Sequence, residues 1–277
     1  MSYKKALTIQ DISCVGQCSM TVALPIISAC GHETCILPSA VLSTHTCGFS
    51  GFTVRDLADD MPAINEHWVK ENIKFDAFCT GYLGSKEQVD YVKNIMATTG
   101  AEGCVKVIDP AMADHGKLYP AFDMEYVNAM KKLCDGADIL LPNITEAAFL
   151  TDTEYKEDYD EAYINDLMVK LQKMGSKTVV ITGVSYNEGK TGIAIRENVE
   201  NKYYEHERME KSFHGTGDIY TAAFTGALLC GKDVFDSVKI AADYTLECIK
   251  KTADDPDHWY GVKFEKALPE LIKSLNL

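Results

Sequence analysis

Gly136-Ala137-Asp138-Ile139-Leu140-Leu141-Pro142-Asn143-Ile144-Thr145-Glu146 joins two kinds of structure. Ile139 to Pro142 is an apolar run of strand length, entered after a glycine suited to a helix C-cap and left through a polar residue. Asn143 with Glu146 three positions on has the spacing of a helix-capping box. The same alternation repeats outward from this junction. Lys5 to Gln10, Thr34 to Pro38, Phe75 to Thr80, Val105 to Asp109 and Thr178 to Thr182 read as strands, with amphipathic helices at about 21–29, 63–72, 86–98, 124–134 and 161–174 between them. Gly31, Gly100 and Gly175 stand, like Gly136, where helix C-caps fall. This order predicts βαβ units around a mostly parallel sheet. After Thr182 the pattern changes: Thr191 to Arg196 and Lys202 to Glu207 predict an antiparallel pair, and three closing helices begin near Thr216, Asp233 and Lys263. No repeat, low-complexity tract or Pro/Gly linker divides the 277 residues, so one domain over 1–277 is expected.

Composition narrows the class of partner. An apolar fraction of 46% suits a globular chain. A formal charge of −14 argues against nucleic acid and anionic membrane surfaces, which need clustered Lys and Arg. A small anionic nucleotide stays open, because backbone N–H groups, a helix terminus or a metal ion can hold it locally. No apolar run approaches the roughly 18 residues of a membrane span, and Met1 to Leu7 leads into a strand without a signal-peptide core. Ten cysteines spread from Cys14 to Cys248 without CxxC spacing read as reduced thiols of a cytoplasmic protein. Cys14 and Cys18 lack a second pair to complete a tetrahedral metal set.

In open α/β sheets ligands bind beyond the carboxyl ends of the strands. That rule selects Gln10-Asp11, Thr80-Gly81-Tyr82, Asp109-Pro110, Pro142-Asn143 and Thr182-Gly183. The strongest local signal is Phe213-His214-Gly215-Thr216-Gly217-Asp218, followed by a small-residue apolar segment. Its two glycines allow a tight turn whose N–H groups meet a phosphate at a helix N-terminus, and Asp218 would set a carboxylate beside the attacking hydroxyl. A plain glycine turn with a favourable first-turn acid is the bland alternative. Asn143 and Glu146 fit a capping box and also a carboxylate that organises waters around Mg²⁺. Asp109 ends a strand at the ligand edge, whereas Asp114 fits a turn. Tyr82 and the Ser43 to Gly48 loop fit one side of a flat heterocycle, with half-buried packing and a solvated loop histidine, His45, as the bland readings.

Taken in order, Ile9-Gln10, the Ser43 to Gly48 loop, Gly81-Tyr82-Leu83-Gly84-Ser85, Asp109-Pro110 with Asp114, Asn143 to Glu146 and Gly215 to Asp218 resemble the pyridoxal/pyridoxamine kinase family of the ribokinase-like superfamily. The resemblance covers nearly the whole chain. It implies a three-layer α/β/α fold, a homodimer, and transfer of phosphate from ATP to the 5′-hydroxymethyl group of a vitamin B6 vitamer in pyridoxal phosphate salvage. Mg²⁺ and a monovalent cation such as K⁺ are the implied ions. By family pattern Asp218 is the catalytic base, Gly215, Thr216 and Gly217 form the anion hole, and Asn143 with Glu146 is the metal-organising NxxE. Asp109 matches an acid near phosphates and cations, and Thr182 a residue near the ATP phosphates. Thr46 and Tyr82 match ring-binding positions, with His45 beside the ring.

Two positions depart from the pattern. Asp11 stands at a ring-contact position where many pyridoxal kinases carry Ser, so it is a substrate-binding candidate bearing a charge. His214 to Gly217 is also similar to hydroxymethylpyrimidine kinases, which usually continue with Cys where this chain has Asp218. A hydroxymethylpyrimidine kinase is therefore the main alternative, ahead of a related sugar or nucleoside kinase. A binding protein that has lost catalysis has no need to keep Asp218 beside the glycine pair.

Overall fold

The structure is a computed structural model and describes residues 3–211 and 213–277. The first two residues of the opening stretch, Met1 and Ser2, and also Ser212 lie outside the described residues. The chain opens with β1 (Lys5–Ser13), α1 (Met20–Ala29), β2 (Glu33–Leu42), β3 (Val54–Asp56), α2 (Met61–Lys70), β4 (Phe75–Thr80), α3 (Lys86–Thr99) and β5 (Gly100–Ile108). A small hairpin follows, β6 (Ala113–Asp114) and β7 (Lys117–Leu118), then α4 (Met124–Cys134), β8 (Ile139–Leu140), α5 (Ile144–Leu150), α6 (Glu161–Lys173) and β9 (Thr178–Val184). The antiparallel strands β10 (Lys190–Glu197) and β11 (Glu200–Glu207) precede α7 (Thr216–Leu229), α8 (Val234–Ala253) and α9 (Leu268–Leu275).

Nine strands form one sheet in the order β11-β10-β9-β8-β5-β4-β1-β2-β3. From β2 to β9 every neighbouring pair is parallel; β3, β10 and β11 pair antiparallel at the edges. Side chains alternate between the two faces as the strand period of two demands. Leu7, Ile9 and Phe78 join one core with α3, α4, α5 and α6, while Ala6, Ala77 and Val180 join a second core with α1, α7 and α8. Helices therefore cover both faces, the three-layer architecture expected. Each fully buried Phe or Leu in these layers contributes about 1.5–3 kcal/mol relative to exposure.

Local differences from the sequence reading have identifiable causes. Gly100 is no left-handed cap: at φ −66° and ψ 134° it is extended and begins β5 directly. Gly31, Gly136 and Gly175 do adopt positive φ. The second helix starts at Met61, earlier than 63, because Pro62 sits in its first turn, where proline costs no hydrogen bond. β2 runs on past Pro38 to Leu42; β3 pairs only with Ala40 to Leu42, so the missing N–H of Pro38 breaks no bond to it. The run Ile139 to Pro142 supplies a ladder only at Ile139 and Leu140, followed by an isolated bridge between Asn143 and Thr182.

α7 is sandwiched: every residue from Ile219 to Ala227 is buried. Small residues permit this, and a Cβ added at Gly226 would lie 2.4 Å from Cys30 Sγ at the end of α1. The packing of α7 fixes where its N-terminus emerges.

Candidate active site

The parallel strands bring their carboxyl ends to one edge. Gly81 N–H donates to Ile9 O (3.1 Å), Asp109 N–H to the Thr80 hydroxyl (3.1 Å), and Thr182 N–H to Pro142 O (3.0 Å), so these strand ends are bonded side by side. α7 enters the same edge. Gly215, its N-cap, has φ 79°, and a Cβ there would stand 2.4 Å from Gln17 O; only glycine fits this turn. Gly217 faces open space, and the Thr216 hydroxyl donates to Phe213 O (3.2 Å). The result is an N-terminal turn whose backbone a phosphate can approach.

Asp218 is half-buried in the first turn of α7, and its Oδ2 accepts from Ser19 N–H at 2.9 Å. Burial, reinforced by the charges of Asp109 and Asp11, raises its pKa to about 7 against the pull of the Ser19 hydrogen bond. Asp109 is tied to the same helix, because the Thr221 hydroxyl donates to its Oδ2 (2.8 Å) while Ala111 N–H donates to Oδ1 (3.1 Å). Thr221 follows Asp218 by three residues and so shares its helix face.

Asn143 and Glu146 form a complete capping box. Glu146 N–H donates to Asn143 Oδ1 and Asn143 N–H to Glu146 Oε2, both at 2.9 Å. Glu146 Oε1 accepts from Met112 N–H (2.9 Å), and the Asn143 amide donates to Ala113 O (2.8 Å), which pins the β6–β7 hairpin to α5. Glu146 is only 3% exposed, and burial followed by the charge of Asp109 raises its pKa. Asp109 is raised by burial as well. Asp114, an exposed residue, belongs to that hairpin with His115 and Gly116 at positive φ, as its turn reading requires.

The third group surrounds the end of β1. Asp11 lies where the β1–β2 register breaks and is 4% exposed, its carboxylate accepting from the Ser13 hydroxyl (2.8 Å). Burial raises its pKa, and its charge acts on Tyr82 and Asp218. It is neither solvent-facing nor a cap for the following loop. The solvated reading of His45 is corrected: the ring is 5% exposed, Nδ1 accepts from Cys47 N–H (3.1 Å), and Nε2 is then the donor to Tyr260 O (2.8 Å). Both nitrogens are used, so only the ring surface can meet a ligand. Thr46 is exposed on this loop. Tyr82 is half-buried and stacks on Phe122 at 5.4 Å, which stacks on Tyr126 at 3.8 Å. Ser19, Thr221 and Phe122 escaped the sequence reading; only the i+3 spacing of Thr221 from Asp218 offered a signal.

A family model described as phosphomethylpyrimidine kinase matches residues 24–262. Pyridoxal kinase of Dictyostelium discoideum is 26% identical over 89% of this chain and 82% of its own. A provisionally assigned phosphomethylpyrimidine kinase of Bacteroides thetaiotaomicron, crystallised with pyridoxal, superposes with a TM-score of 0.91 at 34% identity, covering 98% of this chain and 96% of that one. Pyridoxal kinase from Lactobacillus plantarum gives a TM-score of 0.91 at 30% identity, covering 98% of both chains. The chain belongs to the phosphomethylpyrimidine kinase family, which lies with the pyridoxal kinases in the ribokinase-like superfamily. It is a kinase, a phosphotransferase.

Proposed function

We propose that this kinase transfers the terminal phosphoryl group of ATP to the 5′-hydroxymethyl group of a vitamin B6 vitamer. The observation that carries the reading is the Asp218 carboxylate, held by Ser19 beside the glycine turn of α7, with the Asp11 charge acting both on it and on Tyr82. The pyridoxal-bound Bacteroides relative supports the ring class. With Oδ2 engaged by Ser19 and Oδ1 without a hydrogen-bond partner among the described residues, Asp218 can orient the acceptor hydroxyl and take its proton through Oδ1. Its raised pKa, about 7, makes it a stronger base than a free aspartate while leaving it substantially ionised near neutrality. The N–H groups of Gly215 to Gly217 and the α7 dipole stabilise the charge developing on the transferred phosphoryl.

Asp109 and Glu146 suit a cation. A buried and a half-buried carboxylate whose charges oppose each other are relieved by a positive ion, and Mg²⁺ takes few protein oxygens beside water and phosphate. Bound there, Mg²⁺ supplies neutralisation of the nucleotide phosphates. Glu146 acts through water, since backbone N–H groups already use both its oxygens. Asn143 and Thr182, bridged at adjacent strand ends, flank the phosphate side. Incubation with ATP, Mg²⁺ and pyridoxal followed by chromatography tests the reading: pyridoxal phosphate should accumulate in step with ADP, and ADP formed without it would sink the proposal.

Hydroxymethylpyrimidine is the second candidate acceptor, favoured by the match of residues 24–262 to the phosphomethylpyrimidine kinase family. Asp218 in the position where those kinases usually carry Cys supports the vitamer reading over it.

A further inference from the structure

The loop between β1 and α1 is strained where it meets the site. Gly16, Gln17 and Ser19 all have positive φ, at 131°, 47° and 52°. Ser19 has ψ −131°, a combination that glycine adopts freely and an L side chain resists. Space for this loop is made by glycines on its neighbours: a Cβ on Gly215 would strike Gln17 O at 2.4 Å, and one on Gly261 would lie 2.8 Å from Gln17 Cβ. Ser19 heads α1 without a side-chain capping bond. Its N–H instead points at Asp218 Oδ2 (2.9 Å). A serine held in a glycine geometry, with its N–H committed to a site carboxylate, does more than begin a helix.

We propose that Ser19 is a positioning residue for phosphoryl transfer: its left-handed backbone aims the N–H that holds one oxygen of Asp218 and leaves the other for the acceptor hydroxyl. This rests on the role proposed for Asp218. The contact is to one oxygen only, so rotating the Ser19 peptide away would free Asp218 to turn and would misplace the proton acceptor without removing it. Small displacements of a reacting group are costly because the attack must be in line.

The test compares Ser19→Gly with Ser19→Val. Glycine keeps the N–H and accepts the φ and ψ without strain, so kcat should stay within about twofold of wild type and Tm should not fall. Valine is β-branched and resists positive φ, so kcat per folded enzyme should drop by about tenfold or more while KM for ATP is unchanged. A purely structural role would lower Tm in Ser19→Val and leave kcat of the folded fraction normal. Equal kcat in the two variants, or a tenfold loss in Ser19→Gly, overturns the proposal. Wild-type enzyme inactive on every B6 vitamer would instead overturn the function on which it rests.

Discussion

The carboxylate of Asp218 is pulled in two directions, upward by burial and by the charges of Asp109 and Asp11, and downward by Ser19 N–H. Its folded pKa of about 7 lies above the ordinary 3.8, so the protonated form is the one the fold prefers. The stability associated with this group is therefore complete below about pH 4 and is lost as pH rises through about 7. Asp218→Asn should match wild-type Tm near pH 4 and exceed it at pH 8, while turnover falls by about two powers of ten or more. Calorimetry across that range and steady-state rates check both halves; a folded variant with near-normal turnover would remove Asp218 from its role. Glu146→Gln should lower Tm, because an amide NH₂ cannot accept from the N–H groups of Met112 or Asn143, and should raise the Mg²⁺ concentration for half-maximal rate. A fall in Tm with unchanged Mg²⁺ dependence would leave Glu146 as a capping residue alone. At this scale the sequence exposed Asp218, Gly215, Asn143, Glu146 and Asp109, because each belongs to a local spacing with a physical purpose. Ser19 was invisible, and Thr221 was hinted at only by its i+3 spacing from Asp218, because their partners stand 199 and 112 residues away.

α7 transmits its packing to the site. Gly226 allows close approach to α1, and the added methyl of Gly226→Ala would meet Cys30 Sγ, which the backbone of α1 can accommodate only by shifting. The substitution should cost about 1–3 kcal/mol of stability and also reduce kcat, because Asp218 and Thr221 ride on the displaced helix. Chemical denaturation and single-turnover rates separate the two effects; lost stability with unaltered kcat would show that the first turn of α7 is fixed by its own contacts. Periodic elements of five residues or more were legible with their types. β3, β6 and β7 are two or three residues long and carry no period, and α5, only seven residues long, was visible through its cap alone. Gly100 misled because glycine is equally suited to a left-handed cap and to a direct entry into a strand. The capping box at Asn143 and Glu146 starts α5 and, through Met112 and Ala113, anchors the β6–β7 hairpin.

Across the whole molecule, a chain with a formal charge of −14 offers, in the glycine turn that opens α7, backbone N–H groups of the kind the proposed phosphate site would use. The parallel character of the sheet was legible from alternating strands and helices, but its strand order was not, since order is set by long-range contacts that no local pattern encodes. The homodimer implied by family resemblance is tested by sedimentation equilibrium, where twice the mass of the chain is expected. The central claim is the acceptor, and the most direct measurement is kcat/KM for pyridoxal, pyridoxamine, pyridoxine and hydroxymethylpyrimidine with saturating Mg²⁺ and ATP. The account predicts that at least one B6 vitamer is used more efficiently than hydroxymethylpyrimidine, with pyridoxamine at least equal to pyridoxal because the Asp11 charge favours its aminomethyl cation. A clear preference for hydroxymethylpyrimidine over all three vitamers would contradict it.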